Sequence, residues 1–269
     1  MNKQRDDKMI PRYENAKREL NTISKLDIDS SATINLFRVN PKLFISILEV
    51  LDKKILLERE KMIDLGCGYG GLAKLIGKCF EFKEVYGLDI DHERLAVAKE
   101  RGIHTYKCNL EKEKFPFPDN FFSLVTSFGV LEHLTYFDNI LEEAYRVLKS
   151  GGVFLLSAPN LGSWANRLSL LLGCQPRNLE ISRFKIVGVH NVYHKIYRRV
   201  APVGHISSCT LKAIIELLNF YGFKILKCWG TGIVPAPDVK LNLTLKIFDK
   251  LLSKKATLSV RFIIASQKS

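Results

Sequence analysis

The sequence predicts an α/β domain built on a parallel sheet with helices on both faces. Three observations lead there. Between residues 60 and 160, short apolar strand-like segments alternate with segments of helical periodicity, a rhythm that builds parallel sheets with right-handed crossovers. A cluster of glycines follows the first strand directly, where the chain must turn tightly into a helix. The 269 residues, 46% hydrophobic and 26% charged, suffice for one large core and exclude wholesale disorder, coiled-coil and collagen-like chains.

The elements follow in order. Asn40-Pro41 reads as an N-cap followed by proline at the first helical position, after which Leu43, Phe44, Ile47, Leu48 and Leu51 share one face. Met62 to Leu65 reads as a strand, the glycines as its turn, and Leu72, Leu75, Ile76, Cys79 and Phe80 as a helix stripe. Glu84 to Leu88 is a second strand, Asp91 caps a helix through Ala98, and Gly102 stands where a helix end favours glycine. Ile103 to Lys107 is a third strand. Pro116, Pro118 and Asp119-Asn120 turn the chain into a fourth at Phe122 to Ser127. Asp138 is expected to cap a helix carrying Ile140, Leu141, Ala144, Val147 and Leu148, stopped by Gly151-Gly152 before a fifth strand through Ala158. From Pro159 to about Ser207 the rhythm breaks, which marks an insertion or lid. It resumes with a helix carrying Leu211, Ile214, Ile215 and Leu218, a strand at Phe223 to Trp229, a basic amphipathic segment from Leu241 to Lys255, and a last strand at Leu258 to Ala265.

The net charge of +13 lies in the C-terminal part, where residues 161–269 carry 17 Lys/Arg against 4 Asp/Glu, while residues 31–160 carry 17 against 18. This asymmetry fits an anionic partner, whether a small molecule, a nucleic acid or lipid headgroups, and it also fits a Lys-rich solvated surface. No apolar run approaches the ~20 residues that span a bilayer. The opening MNKQRDDKMIPRYENAK has no apolar signal core, so the expected compartment is cytoplasmic. Cysteines 67, 79, 108, 174, 209 and 228 lack metal or redox spacing and read as reduced thiols. His190 and His194 are four apart but lack a third ligand, and no metal is expected.

Gly66-Cys67-Gly68-Tyr69-Gly70-Gly71 lets a ligand approach main-chain N–H groups at a helix start. Gly66, Gly68 and Gly71 satisfy the dinucleotide pattern G-x-G-x-x-G, with Asp89 at the distance of a ribose-binding acid, so a nicotinamide cofactor is one reading. Asp64, two residues before the first glycine, argues for another. A carboxylate there is unhelpful to a pyrophosphate and suits a ligand carrying an ammonium and a sulfonium.

In MIDLGCGYGG (62–71), VYGLDID (85–91), PFPDNFFSLVTS (116–127), VLEHL (130–134) and RVLKSGGVFLLSAPN (146–160), the chain resembles the class I S-adenosylmethionine (SAM)-dependent methyltransferases, within the broad group of quinone-biosynthesis, small-molecule and glycan enzymes. GHISSCTLKAIIELLNFYGFKI (204–225) is similar to the family's late helix and strand. The resemblance implies a doubly wound Rossmann-like methyltransferase sheet, mostly parallel with an antiparallel last strand, plus a lid insertion. The corresponding division is an N-terminal helical cap (1–58), a SAM-binding core (59–160), a lid or substrate insertion (161–207) and a C-terminal completion of the sheet (208–269).

Carried over residue by residue, the resemblance implies that Gly66, Cys67, Gly68 and Gly70 wrap the methionine part of SAM while Asp64 positions its amino group. Asp89 would accept the ribose hydroxyls, Ile90 pack against the adenine, Asn109 and Leu110 meet its edge, and Phe128 offer backbone contacts. Two positions depart from the family pattern: Asn109 and Ser123 both stand where Asp is usual. An amide oxygen at Asn109 still accepts from an exocyclic amine.

The implied reaction is methyl transfer from SAM to a small-molecule, glycan or lipid-linked acceptor, O-methylation favoured, with S-adenosylhomocysteine as product. His133 is the candidate base for a hydroxyl acceptor, its alternative role being to pack the loop after the fourth strand. The basic aromatic run Tyr193 to Arg199 could stack on an anionic acceptor or on RNA, or form a lid. The stripe from Trp164 to Leu172 and the segment 241–255 are either core or a peripheral membrane contact. The alternatives are an RNA methyltransferase and a catalytically silent subunit that binds cofactor and a protein partner.

Overall fold

The computed structural model describes residues 32–54, 59–197, 201–235 and 239–269. Strands β1 (Lys61–Leu65), β2 (Glu84–Asp89), β3 (His104–Lys107), β4 (Phe122–Phe128), β5 (Leu148–Pro159), β6 (Phe223–Thr231) and β7 (Arg261–Lys268) form one sheet in the order β3-β2-β1-β4-β5-β7-β6. β1 pairs in parallel with β2 and β4, β2 with β3, and β4 with β5. β7 runs antiparallel between β5 and β6, as the resemblance implies.

Strand alternation divides the core into two layers. Ile63, Leu65, Val125, Phe154, Leu156, Phe262 and Ile264 face α5 (Asp138–Val147) and α8 (Leu211–Phe220). Met62, Leu124, Val153, Leu155, Ile263 and Ala265 face α1 (Ala32–Val39), α2 (Pro41–Lys54) and α3 (Gly71–Phe80). The α2 stripe Leu43, Phe44, Ile47, Leu48 and Leu51 is buried as its spacing predicts, each side chain contributing about 1.5–3 kcal/mol. Asn40 caps this helix through Oδ1, which accepts from Leu43 N at 3.3 Å. α4 (His92–Glu100) closes a smaller cluster of Ala73, Ala98 and Ile103, and Asp91 caps it by accepting from Glu93 N and Arg94 N.

Several local expectations shift. Asp138 is the first residue of α5, not its cap; its Oδ1 accepts from the Tyr221 hydroxyl at 2.7 Å. Gly151-Gly152 does not stop that helix, which ends at Val147. The two glycines lie inside β5, beside the register shift between Phe122 and Leu124 on β4. The last strand begins at Arg261 because Leu258 N and Ser259 N are used in a turn onto the Lys255 carbonyl. His190 is not helical: α7 runs Asn191–Tyr197, and His190 Nδ1 accepts from Val192 N at 3.2 Å.

The break after β5 contains α6 (Trp164–Leu171) and α7, and α9 (Leu243–Leu252) lies between β6 and β7. Ser123 sits at the β4 bulge, at the opposite end of that strand from the glycine loop, with a buried Oγ lacking a partner among the described residues. This departure from the family pattern therefore does not touch the ligand crevice. No helix among the described residues is long and apolar enough to cross a membrane.

Candidate active site

The carboxyl ends of β1, β2, β3 and β4 lie at the same edge of the sheet, where open parallel α/β sheets place their ligand crevice. The turn after β1 is tied to β2 by its backbone: Gly66 N and Cys67 N donate to the Leu88 carbonyl at 2.7 and 2.9 Å. Asp89 finishes β2 buried, its Oδ2 accepting from Gly68 N at 2.8 Å and its Oδ1 from Asp91 N at 3.0 Å. One carboxylate thus orients both loops. Gly66 has φ +70° and its missing Cβ would lie 2.4 Å from Val130 Cγ2, so glycine is required there on two counts. A Cβ at Gly70 would meet Ile103 Cδ1, so this glycine also serves the close packing of the loop on the β3 side.

Asp64 is buried opposite Thr126, whose hydroxyl donates to its Oδ1 at 2.6 Å. Burial raises its carboxyl to about 7, against the pull of the Thr126 hydrogen bond and with the nearby Asp89 adding to the rise. A cationic group placed beside it would restore its charge. The Cys67 thiol is driven well above its usual range, by burial first and then by Asp64 and Asp89, so it stays protonated and acts as a small apolar wall against Gly87.

Ile90 projects past the sheet edge with 61% of its surface exposed, an apolar platform next to the buried Asp89. Asn109 forms a local turn instead of reaching outward by its oxygen: Oδ1 accepts from Glu111 N at 3.0 Å. An adenine contact would therefore fall to its Nδ2. Leu110 is buried, its carbonyl held by Asn139 Nδ2 at 2.9 Å. Phe128 ends β4 half-buried, edge-on to Phe37 of α1 at 6.1 Å between ring centres, so the helix before the sheet covers this end of the crevice.

The turn after β4 joins the crevice to the insertion. Glu132 is 2% exposed and its Oε1 accepts from the Arg261 guanidinium at 3.0 Å, pinning VLEH to β7. Its backbone carbonyl accepts from Ile206 N and Ser207 N. His133 is exposed; its Nδ1 lies 2.9 Å from the Gly204 carbonyl and its ring 5.0 Å from that of His205. Because a carbonyl only accepts, this bond places the proton on Nδ1 and leaves Nε2 of the neutral ring as an acceptor.

Beside this turn lies a cavity of about 350 Å³, walled by Leu36 of α1, by Arg177, Tyr197 and His205 of the insertion, and by Thr231 and Arg261 of β6 and β7. Among the described residues that line it are two arginines and a histidine and no carboxylate. The Asn178 amide nitrogen and the Tyr197 hydroxyl, both on its wall, are buried without a partner among the described residues. Tyr193 and Tyr197 pack 5.1 Å apart, and the Arg177 guanidinium stands 4.4 Å over the Tyr197 ring. The basic aromatic run thus turns its rings inward; Arg198 and Arg199 lie outside the described residues.

The structure therefore gathers Asp64, Gly66, Cys67, Gly68 and Asp89 around one loop, with Ile90 beside them, and sets His133 at the mouth of the insertion. Sequence reading missed Arg261, His205, Arg177 and Asn178. Only Arg261 carried a signal, as a charge opening the apolar strand SVRFIIAS. Among the described residues no cluster of metal-ligating side chains occurs.

Residues 63–156 match the family model described as a methyltransferase domain. Over 105 residues the chain is 39% identical to the ubiquinone/menaquinone biosynthesis C-methyltransferase UbiE of Neisseria gonorrhoeae (strain NCCP11945), which is 36% of this chain and 42% of that relative. The chain spans less than half the length of the curated relatives it matches. A SAM-dependent methyltransferase from Thermotoga maritima superposes with a TM-score of 0.53 at 15% identity, covering 87% of this chain and 99% of that one. Another from Archaeoglobus fulgidus gives 0.53 at 16% identity, covering 84% and 94%. Residues 63–156 thus match a methyltransferase domain, the chain has the fold of SAM-dependent methyltransferases, and β5, β7 and β6 carry the sheet to its far edge.

The site fits SAM on its own chemistry. The glycine turn packs its backbone closely against Val130 and Ile103, the carboxylates of Asp64 and Asp89 would serve an ammonium and ribose hydroxyls, and exposed Ile90 would offer an apolar face to a base. Bound there, SAM supplies an electrophilic methyl on a sulfonium leaving group.

Proposed function

We propose that this chain transfers the methyl group of SAM to a small anionic acceptor bearing a hydroxyl, releasing S-adenosylhomocysteine. One observation carries the reading: Asp89 is anchored to Gly68 N at 2.8 Å, which brings the acid at the end of β2 and the glycine turn after β1 into one cofactor cradle. Asp64 then faces the amino group, Asp89 the ribose and Ile90 the adenine. The chain's contribution is alignment of acceptor and methyl and exclusion of water.

The acceptor is held in the cavity beside VLEH. Arg177, with no carboxylate among the described lining residues, favours an anionic group, and the Asn178 and Tyr197 polar atoms, unpartnered among the described residues, supply hydrogen bonds. His133 Nε2 takes the acceptor's hydroxyl proton. Removing a phenolic proton places negative charge on oxygen and on the conjugated ring carbons, so one base serves O-methylation and the C-methylation named for the UbiE relatives. O-methylation is the reading kept here.

The test is transfer of tritiated methyl from SAM to an extract separated into small molecules, lipids, glycans and RNA. Label in an acidic small-molecule fraction supports the reading, and label in RNA supports a nucleic-acid methyltransferase. A chain that binds SAM yet labels nothing is a silent subunit. With the labelled acceptor in hand, Arg177→Gln should raise its KM about tenfold and leave SAM affinity unchanged.

A further inference from the structure

Two neighbouring helices outside the sheet point their apolar faces away from the protein. On α9, Leu243, Ile247 and Leu251 fall at i, i+4 and i+8, with Phe248 beside them, and all four are about half exposed or more. On α6, Leu168 and Leu171, with Leu172 at its C-terminal cap, fall at i, i+3 and i+4 and are likewise exposed, Leu171 with 82% of its surface. The buried side of each helix is instead polar: Asn166 on α6 and Asp249 on α9.

Asp249 locks the two helices together. Its Oδ1 accepts from Trp164 Nε1 at 2.9 Å and from the Ser253 hydroxyl at 3.1 Å, and its Oδ2 from Ile233 N at 2.7 Å. The Trp164 and Phe248 rings meet edge-on at 5.2 Å. The outward leucines are therefore fixed in place by a buried carboxylate. Arg167, Lys246, Lys250, Lys254 and Lys255 flank them, all exposed, while the one acid of α6 and α9 is the buried Asp249.

We propose that α6 and α9 form a docking surface for an anionic lipid bilayer. The leucine, isoleucine and phenylalanine side chains enter the boundary between headgroups and acyl chains, and the flanking cations meet the headgroups. The charge decides against a second copy of the chain, because self-association through this face would bring cation against cation. The inference is independent of the reaction proposed above.

The experiment is co-sedimentation of the full chain with phosphatidylcholine vesicles, with and without phosphatidylglycerol, across a salt series. Trp164 fluorescence and the oligomeric state are followed in parallel. Binding is expected to the anionic vesicles, to weaken with salt and to shift Trp164 emission to shorter wavelength. Leu171→Glu with Ile247→Glu should lower it more than about tenfold, and Lys246→Gln with Lys250→Gln about fivefold per lysine. The lysine pair removes no apolar contact, so it remains informative if the first variant is poorly folded; SAM affinity and Tm check both. Failure of the wild type to bind either vesicle overturns the proposal, as does vesicle binding that neither variant alters. A dimer or protein complex that Leu171→Glu disperses, without vesicle binding, overturns it in favour of a protein partner.

Discussion

Glu132, two residues past Val130 in the turn after β4, is joined to Arg261 at the start of β7 by a 3.0 Å ion pair buried against the sheet end. The two residues are 129 positions apart in sequence, so the pair fastens the last strand to the turn that carries His133. Its geometry keeps that turn against the cavity wall.

Breaking this pair on one side leaves an uncompensated charge with little solvent. Glu132→Gln keeps the shape and removes the charge, and should cost about 3 kcal/mol in urea unfolding. A loss within ~0.5 kcal/mol would assign the turn's position to its backbone bonds with Ile206 and Ser207 alone.

Asp64 sets a pH dependence. Its carboxyl is raised from the ordinary aspartate value of 3.8 to about 7 in the folded chain, so between those limits the folded state holds a proton that the unfolded state has released. Its contribution to stability is full below the unfolded value and falls as pH rises to about 7. Asp64→Asn cannot ionise, and should flatten that fall, gaining on the wild type in unfolding at pH ~8 but not at pH ~4. An ammonium beside Asp64 favours the charged form, so SAM binding near pH 6 should release a proton, read from calorimetry in buffers of different ionisation enthalpy. Equal heats in all buffers would remove Asp64 from the amino-group contact.

At Gly66 the clash and the backbone are separable. Gly66→Ala places a methyl 2.4 Å from Val130 Cγ2 at φ +70°. Adding Val130→Ala relieves the clash but not the left-handed backbone, leaving a residual deficit of about 1–2 kcal/mol in thermal unfolding. Full recovery by the double variant would mean that space alone demands glycine.

For His133 the measurement is kcat against pH. His133→Asn should lower kcat by about 10²–10⁴-fold and abolish the acidic limb of the profile, with SAM affinity intact. Near-normal turnover, or weakened SAM binding, would relegate the imidazole to packing the turn through Gly204 and His205.

Much of this architecture was legible in the chain, because periodicity and glycine placement are local properties. The β1 turn, the Asp91 cap, the α2 stripe and the β2 acid all follow from spacing within one or two elements. What was not legible depends on partners distant in sequence. Arg261 reads as an ordinary charge until β7 is laid beside β5, and Asp138 reads as a cap until Tyr221 arrives to take its carboxylate. The leucines of α6 and α9 have the periodicity of core stripes; only burial shows that the side facing inward is the one carrying Asn166 and Asp249. The cavity wall, drawn from α1, the insertion and the last two strands, has no sequence pattern of its own.

The central claim is that the loop oriented by Asp89 is a SAM cradle. Calorimetric titration of the full chain with SAM, S-adenosylhomocysteine and NAD tests it most directly, with Asp89→Ala alongside. Saturable binding of SAM and S-adenosylhomocysteine is predicted, with no heat from NAD, and a loss of about 1–3 kcal/mol in the variant. Preferential binding of NAD, or SAM affinity unchanged by Asp89→Ala, would contradict it.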